Sequence, residues 1–155
     1  MNLNKYTLKA QEAIQAALEL ATSANNQAVE PVHILKALLG DKNNIIHTIL
    51  AKLGANPQII EQKLDEELQR LPKVQGASVS GQYLSNDAKA LFDLAQKTAG
   101  EIGDEYISSE HLLIAAAEGN TESAKILKEQ GAQKANILKI LDDVRGGQKV
   151  DDPNA

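Results

Sequence analysis

Apolar residues recur every three or four positions through most of this chain, which is the spacing of helices that bury one face. Two runs are unusually rich in alanine, and small residues let a helix approach its partner closely. We expect both runs to form core-facing stripes. The first stripe consists of Ala10, Ala13, Ile14, Ala17, Ala21 and Ala24, and the second of Ala88, Leu91, Phe92, Ala95, Ala99 and Ile102.

The two stripes belong to a longer internal repeat. Residues 7–35 recur as residues 85–113 with one offset, which His33 and His111 show (111 − 33 = 78). Further along, Gly54 and Gly131 are related by 77 residues (131 − 54 = 77), so one residue is missing between them. A repeat of this length indicates a duplicated helical bundle rather than a solenoid unit. We therefore expect two pseudo-symmetric halves that meet along a seam.

Polar residues mark the helix starts. Thr7 and Ser85 each precede an alanine-rich run, where a hydroxyl can accept a hydrogen bond from the first turn. The second helix of the first half opens at Glu30-Pro31, with proline at the first helical position. Its counterpart opens with Ser108 as the cap and Glu110 in the first turn, where the helix dipole favours an acid.

The helix ends indicate how many helices each half contains. Gly54 and Gly131 are suited to left-handed stops after the third helix of each half. A fourth helix follows in each half, from Asn56-Pro57 towards Pro72 and through Ile137 to Gly146. No useful period-two alternation appears. The pattern predicts an all-α fold of eight helices, without a sheet, in two four-helix repeats.

Composition narrows the class of protein. A length of 155 residues fits one domain, and its core must be Leu, Ile and Ala because aromatics make up 3%. Cysteine is absent, which fits a reducing compartment. The net charge of −5 argues against nucleic-acid binding. No apolar run approaches the roughly 20 residues of a membrane span, and the first residues do not resemble a secretory signal.

The sequence lacks the common catalytic motifs. No glycine is followed by lysine, so a phosphate-binding loop of that type is excluded. The stretch Gly76–Gly81 has one residue too many for a G-x-S-x-G nucleophile elbow and lacks a preceding strand. We expect a flexible link here and no enzyme activity in this chain.

Metal binding is equally disfavoured. Glu30 and His33 have the Glu-x-x-His spacing of di-iron bundles, but the second copy reads Ser108 and His111. We expect His33 to pack or hydrogen-bond beside Glu30, and His47 likewise to be structural. The acidic runs 65–67 and 142–143 are typical of solvated helix faces.

A binding surface is what remains, and the seam between the halves is the natural place for it, since apolar grooves form between helices. Residues outside the strict core stripe, on the fifth helix and around the start of the sixth, are the candidates for this surface. They are Leu94, Thr98, Ile107, Glu110 and His111.

At this point the chain resembles a known family. The doubled pattern, with residues 30–35 in one copy and 107–113 in the other, is similar to the Clp N-terminal domain over nearly the whole chain. The joint at 70–76 and the ending at 144–147 resemble the ClpB-type disaggregases rather than the protease-partner ClpA or ClpC types.

The resemblance implies an organisation. The domain would span residues 1–148, with repeats at about 5–71 and 85–147 and an exposed, mobile link at 72–84. Residues 149–155 would begin a linker to two AAA+ modules absent from this chain, which would use ATP and Mg²⁺. The parent would be a cytoplasmic homohexamer that works with a DnaK-type chaperone. The isolated domain would be a monomer without a cofactor.

It also implies a function. The domain would bind exposed apolar segments of misfolded or aggregated proteins, with contacts falling on Leu94 and on Glu110 and His111. Thr98 and His111 stand where related disaggregases are expected to have large apolar residues, so the groove would be more polar or narrower. The alternative is a docking domain for folded adaptor proteins, as in the ClpA and ClpC types.

Overall fold

Eight α-helices build the molecule, in a computed structural model that describes residues 2–76 and 81–155. Short turns connect the helices within each half, and a 3₁₀ turn, Leu3–Lys5, precedes the first of them. The all-α fold of eight helices predicted from the sequence is confirmed. The helices are α1 (Leu8–Ser23), α2 (Pro31–Gly40), α3 (Ile45–Leu53), α4 (Pro57–Gln69), α5 (Asn86–Glu101), α6 (Ser109–Glu118), α7 (Glu122–Glu129) and α8 (Lys134–Arg145).

The prediction that no sheet forms is wrong in one small respect. Strand β1 (Ala28–Val29) pairs in parallel with strand β2 (Tyr83–Leu84). Tyr6 and Ile107 make a separate parallel bridge. Strands of two residues are too short to show alternation in a sequence. They form where the segments leading into helices of opposite halves cross.

These pairings show the pseudo-two-fold directly. Tyr6 and Leu84 are repeat equivalents (84 − 6 = 78), as are Val29 and Ile107 (107 − 29 = 78). The Thr7 N–H donates to the Ile107 carbonyl at 2.9 Å. Its counterpart, the Ser85 N–H, donates to the Val29 carbonyl at 3.0 Å. Each half therefore ties the start of its first helix to the other half.

Helix packing also joins the two halves. The third helix of each half contacts the fourth helix of the other, α3 against α8 and α7 against α4. Helices α2 and α6 contact each other in the middle. Most of their apolar residues are buried, and Ile34, Leu35, Leu112 and Leu113 are completely so. Full burial of each such side chain contributes about 1.5–3 kcal/mol, so the seam between the halves is part of the core.

The helix termini have the expected chemistry. Thr7 Oγ1 accepts from the N–H of Ala10 at 3.2 Å, and Ser85 Oγ accepts from the N–H of Ala88 at 3.0 Å. Gly54 ends α3 with φ of +75°, a left-handed conformation in which a side chain would be strained. Thr7 and Ser85 thus satisfy equivalent backbone donors of α1 and α5.

The predicted link at residues 72–84 lies partly outside the described residues, which omit 77–80. Its described end, Tyr83–Leu84, is the strand β2 noted above. In the ranges that the structure describes, no helix has the length and apolar composition to cross a membrane.

Candidate functional site

The five predicted binding residues lie in one region but differ sharply in exposure. Leu94 is half-buried, and it packs against the core from the outer side of α5. Thr98, Ile107 and Glu110 are only 2%, 3% and 4% exposed, and His111 is fully buried. In this structure, then, Leu94 is the one member of the predicted surface that another polypeptide can touch.

A groove lies about one helical turn before Leu94 on α5. Helices α5 and α6 enclose about 280 Å³, lined by Ala90, Leu91, Ala115 and Ala116, with Asp87 at its rim. Leu94 lies about one turn further along α5 from Ala90 and Leu91, so it extends the same helix face. The groove is thus partly apolar, with Asn120 and Thr121 also lining it, and a half-buried leucine lies next to it on α5.

The equivalent groove in the first half is larger. Helices α1 and α2 enclose a cleft of about 660 Å³, with Ala13 and Ala16 on its α1 side. The repeat offset aligns these alanines with Leu91 and Leu94 (13 + 78 = 91; 16 + 78 = 94), so smaller side chains leave the first groove open. This cleft was not predicted from the sequence.

Charged residues line the first-half cleft. Lys9 pairs with Asp41 at 2.8 Å, and Lys42 approaches Glu61 at 3.8 Å. All four line the cleft. Its apolar floor therefore has a rim of paired charges, unlike the α5–α6 groove.

The buried residues of the predicted surface form a corner beside α6. The ring of His111 accepts a hydrogen bond at Nδ1 from the Ser108 N–H, at 2.8 Å, and its Nε2–H donates to Asp104 Oδ2, also at 2.8 Å. Ser108 Oγ is 3.0 Å from the same Nδ1. The imidazole thus fixes the first turn of α6 to the α5–α6 loop, since His111 joins the helix cap to Asp104.

Arg145 closes this corner from α8. It donates from Nη1 to Asp104 Oδ2 at 2.8 Å and from Nη2 to Glu110 Oε2 at 2.8 Å. Burial raises the pKa of Asp104, but hydrogen bonds from Val150, Arg145 and His111 outweigh it and hold that pKa below its ordinary value. Burial lowers the pKa of His111 despite the neighbouring carboxylates, so its ring is neutral near pH 7.

The first half repeats the corner with different chemistry. His33 is fully buried; its Nδ1 accepts from the Glu30 N–H at 2.9 Å, and its Nε2 pairs with Asn26 Oδ1 at 3.0 Å. Burial lowers the pKa of His33 to about 4. Both ring nitrogens are thus engaged by the protein, and the described residues contain no group of three His, Cys, Asp or Glu side chains placed to hold a metal.

The sequence predicted no role at this site for Asp104, Arg145 or Asn26. They lie in loops or at a helix end, outside every apolar stripe. The repeat offered one signal, because its offset aligns Asn26 with Asp104 (26 + 78 = 104) and each faces a histidine of the repeat. Arg145 gave no such signal, since a leucine, Leu68, stands at its equivalent position (68 + 77 = 145).

Comparison with known proteins connects this geometry to a family. Residues 5–130 match the Clp repeat (R) N-terminal domain. The chaperone protein ClpB of Vibrio cholerae is 41% identical over 155 residues, which cover 100% of this chain and 18% of that protein. ClpB of Corynebacterium diphtheriae is 38% identical over 144 residues, or 93% of this chain and 17% of that protein. The chain thus spans under a fifth of the length of these relatives.

A solved structure shows the same fold. The Hsp104 N-terminal domain from Candida albicans superposes with a TM-score of 0.82 at 23% identity, covering 96% of this chain and 97% of that one. At that identity the likeness concerns the fold, and the sequence relatives carry the family assignment. On the family match and the two curated relatives, the chain belongs to the Clp repeat (R) N-terminal domain family, and these relatives are ClpB chaperones.

Proposed function

We propose that this domain engages clients for a ClpB-type disaggregase, binding exposed apolar segments of misfolded or aggregated proteins. The observation that carries the proposal is its similarity to ClpB chaperones over 93% and 100% of its length. The parent chain would hydrolyse ATP with Mg²⁺, assemble as a homohexamer in the cytoplasm and cooperate with a DnaK-type chaperone. The domain itself contributes binding and no catalytic step.

The α5–α6 groove is our candidate for the client contact. Leu91 and Ala115 are among its apolar lining residues, and the half-buried Leu94 follows about one turn further along α5. An extended segment that buries ~200 Å² of apolar surface there gains only about 5 kcal/mol before the cost of ordering. Weak and unselective binding follows, which suits a module that must release what it captures.

Weak binding is sufficient if the domain is tethered near a pore. A client held on a tethered module has a high effective concentration at the neighbouring site, although neither contact is tight alone. The buried residues Glu110 and His111 would then support the groove by fixing α6, and Thr98 and Ile107 would line the core beneath it.

A titration with a reduced, alkylated and fluorescently labelled polypeptide tests the groove. Leu94→Gln removes apolar contact area, and we expect affinity to fall about threefold to tenfold, the equivalent of roughly 1 kcal/mol. Ile59→Gln is the matched control, because Ile59 is an exposed apolar residue of α4, in the first half. We expect Ile59→Gln to bind like the unmodified domain.

Equal binding by Leu94→Gln and the unmodified domain, with both folded by circular dichroism, would contradict the groove assignment. Failure of all three proteins to bind any unfolded polypeptide would contradict the client-binding function itself.

Adaptor docking is the second candidate function, and one observation favours it. The 660 Å³ cleft has a rim of charges, and complementary charges across an interface give specificity for a particular partner. A stable one-to-one complex with a small folded adaptor, lost on Lys9→Glu but retained by Leu94→Gln, would support this function over client binding.

A further inference from the structure

The chain does not leave the domain where α8 ends. Gly146 and Gly147 both have positive φ, +60° and +85°, and they turn the backbone sharply after Arg145. The residues that follow return to the seam between the halves, where Val150 is only 5% exposed. We call residues 148–155 the strap.

Hydrogen bonds from both halves hold the strap. The Val150 N–H donates to Asp104 Oδ1 at 2.9 Å, and the Val150 carbonyl accepts from the Glu105 N–H at 2.8 Å. Near its far end, the Pro153 carbonyl accepts from the Leu8 N–H at 2.8 Å. Leu8 is the first residue of α1, so this bond satisfies a donor that has no acceptor within its own helix.

A similar segment follows the fourth helix of the first half. Asn26 donates from Nδ2 to the Pro72 carbonyl at 3.1 Å, and the Val74 N–H donates to the Asn25 carbonyl at 2.8 Å. The two docking sites differ in their chemistry. In the first half a neutral amide donates to the segment, whereas in the second a carboxylate accepts from it. The second also joins the strap to the buried charges of the corner.

Two more hydrogen bonds hold the strap: the Tyr106 N–H donates to the Val150 carbonyl at 3.3 Å, and Lys149 Nζ donates to the Ile102 carbonyl at 2.7 Å. Its apolar contacts, by contrast, are few. Val150 is its one buried side chain, and the other seven residues are exposed or half-buried. Ordering a backbone segment of this length opposes docking at every residue. A segment with few apolar contacts belongs to the part of a fold that opens locally, well before the whole domain unfolds.

From this balance we infer that the strap is a releasable latch: it opens at Gly146 and Gly147 while the eight helices stay folded. Opening frees the Leu8 N–H, the Glu105 N–H and one oxygen of Asp104. It also lengthens the path from the domain by about 26 Å, at roughly 3.3 Å for each of eight extended residues. The use of that length as a variable tether to a following module rests on the proposed function, but the opening itself does not.

Amide hydrogen exchange on the unmodified domain tests the latch. The reporter is the Leu8 amide, which is protected by Pro153. The reference is the Leu113 amide in the buried helix α6, and the unprotected standard is Asn86, the repeat equivalent of Leu8 (8 + 78 = 86), whose N–H has no acceptor among the described residues. We expect Leu8 to exchange at least tenfold faster than Leu113 and slower than Asn86, after correction for intrinsic rates.

The denaturant dependence separates local from global opening. Exchange through the latch exposes little surface, so the Leu8 rate should change little with added urea, whereas the Leu113 rate should rise steeply. Equal rates and equal urea slopes for Leu8 and Leu113 would overturn the proposal, because the strap would then open only with the whole domain.

A variant pair tests the same point from the other side. Val150→Asp puts a second carboxylate next to Asp104, and we expect Leu8 to exchange as fast as Asn86 while Leu113 stays protected, losing only the stability that the docked strap contributed. Asp151→Asn alters an exposed neighbour and should leave the Leu8 rate as it was. Equal protection of Leu8 and Leu113 in Val150→Asp would also overturn the latch, because the strap would then still open only with the whole domain. No client is present in these measurements, so their outcome is independent of the proposed function.

Discussion

His33 and His111 occupy equivalent corners of the two halves, and the difference between the corners is instructive. Each ring accepts at Nδ1 from the backbone N–H at the start of a helix, at 2.9 Å and 2.8 Å. At Nε2, however, His33 meets the neutral Asn26, whereas His111 meets the carboxylate of Asp104. The duplication has kept the structural role of the imidazole and changed the charge beside it.

The charged corner needs further support. Arg145 pairs with Asp104 and Glu110, whereas the first half has the apolar Leu68 and Val32 at the positions of Arg145 and Glu110 (68 + 77 = 145; 32 + 78 = 110). An apolar corner is stable by packing alone. A buried ionic corner depends on every partner being present, since removal of one leaves the others uncompensated.

Arg145→Leu should therefore have the largest effect on stability. It leaves the buried carboxylates of Asp104 and Glu110 without their guanidinium partner, and we expect a loss of about 3–5 kcal/mol in the free energy of unfolding. A urea melt at pH 7, followed by circular dichroism, measures it.

The control for Arg145→Leu converts the whole corner to the uncharged residues of the first half. The triple variant Asp104→Asn, Glu110→Val and Arg145→Leu removes all three charges together, and we expect it to recover most of the lost stability, because replacing a buried ion network by apolar residues is often close to neutral. A triple variant as unstable as Arg145→Leu would show that the two corners are not interchangeable.

The neutral corner should make the free energy of unfolding depend on pH. The pKa of His33 is about 4 in the folded chain and about 6.5 in the unfolded chain. Between these values the unfolded chain binds more protons, so stability falls as the pH falls through this window. From pH 7 to pH 5 we expect His33 to account for a loss of about 2 kcal/mol.

Urea melts of the unmodified domain and of His33→Gln at both pH values isolate this effect. The carboxylates contribute equally to the pH dependence of stability in the two proteins. The drop in stability on acidification should be smaller in His33→Gln by about that amount. An identical drop in both would mean that His33 does not titrate between these pH values on unfolding.

Local and periodic features were the ones that sequence could predict. The stripes of α1 and α5 are buried at Ala10, Ala17, Ala88 and Ala95 because helical spacing determines which side chains share a face. The places where segments of the two halves cross have no comparable periodic pattern in the sequence. The strands at Val29 and Leu84 arise from the way in which the halves dock, so they appear only once the tertiary structure is known.

The site was harder to predict for the same reason. Helical spacing placed both Leu94 and Thr98 outside the core stripe, but Thr98 is only 2% exposed. Spacing also could not show that Glu110 faces Arg145, since the two are 35 residues apart in the sequence. A contact between residues so far apart in the sequence produces no periodic pattern. The larger cleft beside Ala13 was not predicted, because a small residue is as compatible with close packing as with an open groove.

The two grooves offer the most direct test of the central claim, that clients contact the second half at Leu94. Backbone chemical shifts of the labelled domain can be followed as an unfolded polypeptide is added. We predict perturbations centred on Ala90, Leu91, Leu94 and Ala115. Perturbations centred instead on Ala13, Ala16 and Ala37, in the first-half cleft, would contradict the account.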